Sequence, residues 1–344
     1  MLNRRYKLWA TLAVLAAFHG AILFAGFFAP YGYSTQDRAL PYAPPSQIHF
    51  VDRQGEFHLR PFVYGLKDDP ENYGSYVEDD QQAYPLRLVV SGSPYRLAGT
   101  FALRTHLFGT DSPGRLFLLG TDGYGRDQFS RLLYGGQISL AAGWIAAGLS
   151  ILFGGIIGSL AGFYGGWLDD VLMRGGELFL ALPWLYLLFA VRAALPLEVA
   201  QWQVFLLLIA VIGLIGWARP ARLIRGIVLS AKERNFVTAA RALGASDAYL
   251  LRKHILPQTY GVMLTQMTLL VPQYILAEVT LTFLGLGVSE PMASWGTLLS
   301  SLQQYYVLVS YWWMFLPALL LIPVFLSYYA AADALQERVK SVAL

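Results

Sequence analysis

The sequence predicts an all-α polytopic membrane protein with six transmembrane helices and a small β-containing insert between the first and second of them. Two observations carry this. The chain has 344 residues, 56% of them hydrophobic and only 14% charged, with a mean hydropathy of +0.46, far too apolar for a soluble domain of that length. Its apolar residues also gather into runs long enough to cross a bilayer core, which takes about 20 residues per helix. These runs read at 8–29, 138–164, 171–194, 202–218, 262–287 and 308–330.

The first run follows Asn3-Arg4-Arg5-Tyr6-Lys7, a possible signal-peptide start. Its apolar stretch exceeds the roughly 7–15 residues of such a peptide, so an uncleaved anchor is the reading adopted. Orientation follows from Lys and Arg in the short loops. Arg219, Arg222, Arg225, Lys232, Arg234, Arg241, Arg252 and Lys253 crowd residues 219–257, whereas 195–201 and 288–306 carry no Lys or Arg. The crowded segment is expected in the cytoplasm, and six spans then put both termini there, beside Arg4, Arg5 and Lys7 at one end and Arg338 and Lys340 at the other. The segment 31–118 lies outside.

That segment carries strand signals. Ile48-His49-Phe50-Val51 and Glu56-Phe57-His58-Leu59 flank Asp52-Arg53-Gln54-Gly55, a hairpin pattern with Gly55 at the left-handed position, and Leu86–Val90 reads as a further strand. Asp68-Asp69 and Glu78-Asp79-Asp80 read as solvated turns; they lack calcium-loop spacing.

Within the bilayer, close approach through small residues drives helix association. Gly154, Gly158 and Gly162 fall four apart on one face of the second span, continued upstream by Gly143 and Ala147. They suit packing within the chain or against a second subunit. Glu177, Arg192 and Glu278 are ionisable residues inside spans, where such groups need partners or water. Glu177 and Arg192 sit near span ends and can snorkel; Glu278 is deeper and should face the bundle interior or an aqueous path. Pro183 should kink the third span.

Several chemistries are excluded. With no cysteine there is no disulfide or thiolate site, and the five histidines lack metal-ligand spacing. No metal, no cofactor and no catalytic constellation is expected. A formal charge of +3 with basic residues at the ends of apolar runs argues against nucleic acid.

Three motifs in order resemble a known family. Gly120-Thr121-Asp122-Gly123-Tyr124-Gly125-Arg126-Asp127, with Ser130-Arg131 and Ser139-Leu140, precedes the second span; it lacks the Lys-Ser/Thr ending of a phosphate loop. Thr238-Ala239-Ala240-Arg241-Ala242-Leu243-Gly244-Ala245-Ser246-Asp247, running to Leu256-Pro257, reads as a short helix capped by Asn235 and stopped by Gly244, then a second helix capped by Ser246 or Asp247. Ala239 and Ala240 beside Phe236, Val237 and Leu243 make an apolar face in a charged loop, which suggests docking into a groove. Ala277-Glu278-Val279-Thr280-Leu281-Thr282-Phe283-Leu284-Gly285-Leu286-Gly287 with Pro291 and Ser294-Trp295-Gly296 is the third.

Together they resemble permease subunits of ABC importers, of the dipeptide/oligopeptide/nickel type, C-type subunit, over residues 119–338. The resemblance implies the type I importer permease fold over 119–344 in a bacterial inner membrane, and a segment at 219–257 coupling it to ATPases through Thr238, Ala239, Ala240, Gly244, Asp247, Leu256 and Pro257. Thr238 stands where the family has Glu. The implied partners are a second, B-type permease subunit, two cytoplasmic ATPase subunits and a periplasmic or lipid-anchored substrate-binding protein, with membrane lipid around them. An ion-coupled secondary transporter is the alternative, but no repeat relates the two halves as such a transporter usually shows.

Overall fold

A computed structural model describes residues 2–343 apart from 73, 98, 99, 182 and 195–199. The expectation for the loop at 195–201 therefore falls largely outside the described residues. The helices are α1 (Leu2–Leu23), α2 (Ala25–Phe28), α3 (Gln128–Tyr164), α4 (Gly166–Ala181), α5 (Trp184–Ala194), α6 (Gln201–Ile215), α7 (Ala218–Lys232), α8 (Asn235–Ala242), α9 (Asp247–Tyr249), α10 (Leu256–Phe283), α11 (Trp295–Ser300), α12 (Tyr305–Ser310) and α13 (Leu316–Ala343). Among the described residues five helices are long and apolar enough to cross a membrane, six if α4 and α5 form one broken span. The break lies at Pro183, where the two helices meet at 89°: a proline has no N–H for the ladder and its ring excludes the preceding carbonyl.

The chain divides into two compact units. One holds residues up to Leu15, Leu140–Leu281 and those from Pro323 on; the other holds Ala16–Ser139 and Thr282–Ile322.

In the helical unit, the glycine face of α3 is used within the chain. A Cβ placed at Gly154 would lie 2.9 Å from the Trp217 carbonyl oxygen, at Gly158 2.4 Å from that of Ala221, and at Gly162 2.8 Å from that of Arg225. The backbones of α3 and α7 touch because no side chain intervenes. Gly143 approaches the Val271 carbonyl of α10 in the same way, at 2.9 Å. These glycines are thus occupied inside the subunit and are not free for a partner. Helix α7 corrects an expectation, since 219–232 is not loop. Ala218, Ala221, Ile224, Val228 and Ala231 recur at helical spacing and are buried, while Arg225 clamps Asp169 of α4 with two bonds of 2.5 Å.

In the other unit, β1 (His49–Val51), β2 (Phe57–Asp68), β3 (Tyr76–Leu97) and β4 (Phe101–Thr110) form an antiparallel sheet in the order β1-β2-β3-β4. The predicted hairpin is present: Gly55 has φ +87°, and Asp52 Oδ1 accepts from the amides of Gln54 and Glu56, both at 2.9 Å. Glu78, Asp79 and Asp80 are not a turn but part of β3. Their weak strand preference is overcome by polar partners on neighbouring elements, with His49 hydrogen-bonded to Glu78 at 2.8 Å, and Lys67 and Arg53 paired with Asp79 (3.3 Å) and Asp80. Strand β3 is long enough to serve two partners, pairing with β2 through its first half and with β4 from Leu86 onward.

The α3–α7 contact gives a direct test. Gly158→Ala should destabilise the detergent-solubilised chain by about 1–3 kcal/mol through overpacking, whereas Gly148→Ala, with nothing within 4 Å of the new methyl, should be neutral or gain up to about 1 kcal/mol of helix propensity. Thermal unfolding of the two variants measures both.

Candidate functional site

Two groups of motif residues are assembled, one in each unit. In the helical unit, α8 begins from an extended Arg234 with no side-chain cap, so Asn235 is its first residue rather than its cap; Thr238 Oγ1 donates to the Asn235 carbonyl at 2.9 Å. The helix ends as predicted. Gly244 has φ +86°, its amide reaches the Arg241 carbonyl at 3.0 Å, and the Ala245 amide reaches that of Ala240 at 3.1 Å. This paired closure needs a residue without a Cβ at the left-handed position. Ser246 Oγ then accepts from the Tyr249 amide at 3.4 Å to start α9. The chain continues through a π turn, Leu250–Ile255, in which the Leu256 amide reaches back to Leu251, and on into α10, where Leu256 and Pro257 are the first two residues.

The apolar face predicted for α8 splits in two. Val237 is buried with Phe163, Ile224, Val228, Ala231, Leu250 and Ile255, and Ala240 and Ala245 pack against that cluster. Phe236, Ala239 and Leu243, spaced three and four apart, share the outward face, and Leu243 is 89% exposed. Ala240, half-buried, leans on that core, and the exposed stripe is narrower than the sequence suggested. Arg241 and Asp247 flank it, 3.7 Å apart. Of the intramembrane acids, Glu278 is buried, at 4% exposure, as its depth predicted. Glu177 is exposed and accepts from Arg222 of α7 at 3.0 Å.

In the other unit, the motif ahead of α3 forms a charged clasp. The Asp122 carboxylate accepts from the backbone amides of Tyr124 (2.9 Å) and Arg126 (3.0 Å) and from Arg126 Nε (2.7 Å). Arg126 also holds Glu290 through two bonds, of 2.6 and 3.0 Å, and Arg131 Nη2 reaches the same carboxylate at 2.7 Å. The Arg131 side chain is only 2% exposed while that of Glu290 is 42% exposed. Burial works against the Arg126 charge, but the bond to Glu290 and the field of Asp122 more than offset it and hold its pKa above the usual arginine value.

Backbone and hydroxyl contacts complete the clasp. A Cβ at Gly125, φ +69°, would collide with the Asp37 carbonyl, so only glycine fits that turn. Thr121 Oγ1 donates to the Leu40 carbonyl (2.6 Å) and accepts from the Ala43 amide (2.7 Å), and Gly120, also at φ +69°, sits against the Ala43 carbonyl. Asp127 caps α3 by accepting from the amide and hydroxyl of Ser130 at 2.7 and 2.6 Å. Burial pushes its carboxyl up to about 7, against the pull of those Ser130 bonds.

Glu290 was missed by sequence reading. The available signal was its isolation as the sole acid between Glu278 and Asp333. Asp122 and Glu290 are engaged by the arginines and Asp127 by Ser130, so each of the three carboxylates serves to hold the arrangement together.

Residues 154–341 match the family model described as the binding-protein-dependent transport system inner membrane component. The match spans more than half of the chain, which belongs to that family of membrane proteins. Among relatives, the dipeptide transport system permease protein DppC of Bacillus subtilis (strain 168) is 36% identical over 63% of this chain and 66% of its own length. The oligopeptide transport system permease protein OppC of the same organism is 41% identical over 57% of this chain and 63% of its own length. The chain thus spans somewhat under two thirds of these relatives. A crystal structure of an amino acid ABC transporter with histidines superposes with a TM-score of 0.45 at 16% identity, covering 60% of this chain and 94% of that one.

The clasp makes a quantitative prediction. Breaking a buried pair by removing one partner costs about 3–5 kcal/mol. Glu290→Ala should cost less, about 2–3 kcal/mol, because Asp122 stays in place beside the arginines and water reaches the Glu290 site. Arg87→Ala, which breaks the exposed Arg87–Asp111 pair, should cost under about 1 kcal/mol. Chemical or thermal unfolding in detergent distinguishes the two.

Proposed function

We propose that this chain is a transmembrane permease subunit of a binding-protein-dependent ABC importer for peptides or a related small solute. It forms the translocation path with a second, B-type permease subunit. Two cytoplasmic ATPase subunits drive it, and a periplasmic or lipid-anchored binding protein delivers the solute. The names of the similar Bacillus subtilis proteins, dipeptide and oligopeptide permeases, support the solute class. The density of Lys and Arg over 219–257 supports a cytoplasmic position for that segment and for both termini in a bacterial inner membrane.

The observation that carries the reading is the α8–α9 corner. A short helix with one face locked into the core and the other presenting Phe236, Ala239 and Leu243 to solvent is a rigid knob, not a connector. Such a stripe, flanked by Arg241 and Asp247, suits a groove on a partner protein. Coupling runs through Ala239 as the close-approach position and Gly244 as the stop that sets the angle to α9, with Thr238 and Asp247 on the rim. Ala240 packs against the cluster beneath the stripe, and Leu256 and Pro257 open α10, which follows the corner.

The test is co-purification of the ATPase subunits in mild detergent. Ala239→Glu places a carboxylate in a desolvated contact, at a cost of several kcal/mol, and should abolish ATPase association and uptake while the permease pair still assembles. Ala200→Glu, away from the corner, should associate normally. Ala240→Glu should lower the stability of the subunit itself, because that position packs on the core. Normal ATPase recovery with Ala239→Glu would remove the coupling role. An ion-coupled secondary transporter predicts no ATPase in the wild-type preparation.

A further inference from the structure

The β3–β4 hairpin ends in an amphipathic tip that the proposed transport role does not use. In its register Tyr95 faces Leu103, Arg96 faces Ala102 and Leu97 faces Phe101. Alternation along the strands puts Tyr95, Leu97, Phe101 and Leu103 on one side and Arg96, Ala102 and Arg104 on the other. The apolar side is largely bare, with Phe101 68% and Leu103 40% exposed. Among the described residues, neither Arg96 nor Arg104 is held by a carboxylate.

The position of the tip comes from contacts within the same unit. Read towards the end of α1, Gly32 lies beside the Ser93 hydroxyl, and the Ala29 carbonyl is 2.6 Å from His106 Nδ1. Next, a Cβ at Gly26 would run into the Tyr95 ring. From Gly32 at Ser93 to Gly26 at Tyr95, the chain towards α1 runs in the direction of the β3 tip, with His106 held between the Ala29 and Ser93 carbonyls. Tyr95, on the apolar side of the ladder, is the residue that meets Gly26 of α2. Beyond the Tyr95–Leu103 pair, Leu97 and Phe101 extend the ladder in the direction of Leu23, where α1 ends. That helix is a candidate span over Tyr6–Leu23, so its end marks the bilayer boundary.

We propose that this tip dips into the membrane interface beside the end of α1. Leu97, Phe101 and Leu103 enter the boundary between head groups and acyl chains, and Arg96 and Arg104 bind lipid phosphates. The occupant is the bilayer surface, because the tip continues the membrane-crossing surface of α1. Aromatic and aliphatic side chains at that depth gain from leaving water, and a guanidinium is suited to two-point contact with phosphate. The tip thereby tethers the sheet to the membrane at a second point. The inference rests on α1 spanning the bilayer, and the experiment separates the two.

The chain has no cysteine, so single cysteines can be introduced and labelled. Phe101→Cys, carrying an environment-sensitive fluorophore, is placed in the full chain in nanodiscs of phosphatidylethanolamine and phosphatidylglycerol. Nitroxide lipids quench from the head group or from the top of the acyl chain. The expected result is a blue-shifted emission quenched several-fold more by both lipids than that of Gln54→Cys, at the β1–β2 turn. Val14→Cys, within α1, should be quenched by the acyl-chain nitroxide and reports on the span alone. Arg96→Gln with Arg104→Gln should reduce the quenching at position 101 in discs rich in phosphatidylglycerol. Water-like emission from position 101 with quenching retained at position 14 overturns the proposal and leaves the span intact. A blue shift at position 101 that lipids do not quench, arising only when a second permease subunit is co-reconstituted, also overturns it and assigns the tip to a protein partner.

Discussion

Two arginines withdrawn from water at the head of α3 set the terms for the unit around them. Arg126 and Arg131 are almost wholly buried, and isolated charges in that setting would cost many kcal/mol. Asp122 is local, four residues from Arg126, but it is one charge against two. The second has to come from elsewhere in the chain, and Glu290 supplies it from 164 residues away. The segment after α10 is thereby fixed against the head of α3, and Trp295, fully buried, adds a bond from its indole N–H to the Leu132 carbonyl at 3.0 Å. The glycines of the motif follow from the same demand. For Asp122 to gather two backbone amides and a guanidinium, the chain has to fold back at Gly125 with positive φ, hard against the Asp37 carbonyl.

Much of this was legible in the sequence where physics acts locally. Apolar runs locate spans because lipid tolerates little else, the Asp52–Gly55 turn declares itself through its side-chain acceptor and its glycine, and Gly244 marks the end of α8. Where charged residues dominate a segment, they mimic solvent exposure and hide the element beneath. Helix α7 reads as loop because Arg219, Arg222 and Arg225 dominate it, although Ala218, Ala221, Ile224, Val228 and Ala231 keep helical spacing beneath them. Glu78–Asp80 read as a turn, although partners on neighbouring elements make a strand tolerable. Glu290 was passed over because its partners lie so far away in sequence. Strand β4 escaped because its apolar alternation is broken by Arg104 and His106, and His106 is buried between the Ala29 and Ser93 carbonyls, a placement no local pattern announces.

The proposed coupling role puts a mechanical demand on the α8–α9 corner. A partner that favours one state can shift an equilibrium only by its differential affinity, so a load applied at Leu243 has to reach something that moves. Through Val237 the corner shares a close-packed cluster with Ile224 and Val228 of α7 and Ile255 at the head of α10. Close-packed interiors transmit displacement rather than absorb it. Helix α7 in turn lies backbone to backbone on α3 and is clamped to α4 by Arg225 and Asp169. A push on α8 is therefore felt by α3, α4 and α10 as one body. That is why the glycines matter beyond packing: a larger residue at Gly158 would put a compliant side chain between α7 and α3, and the same push would be spent on bending it.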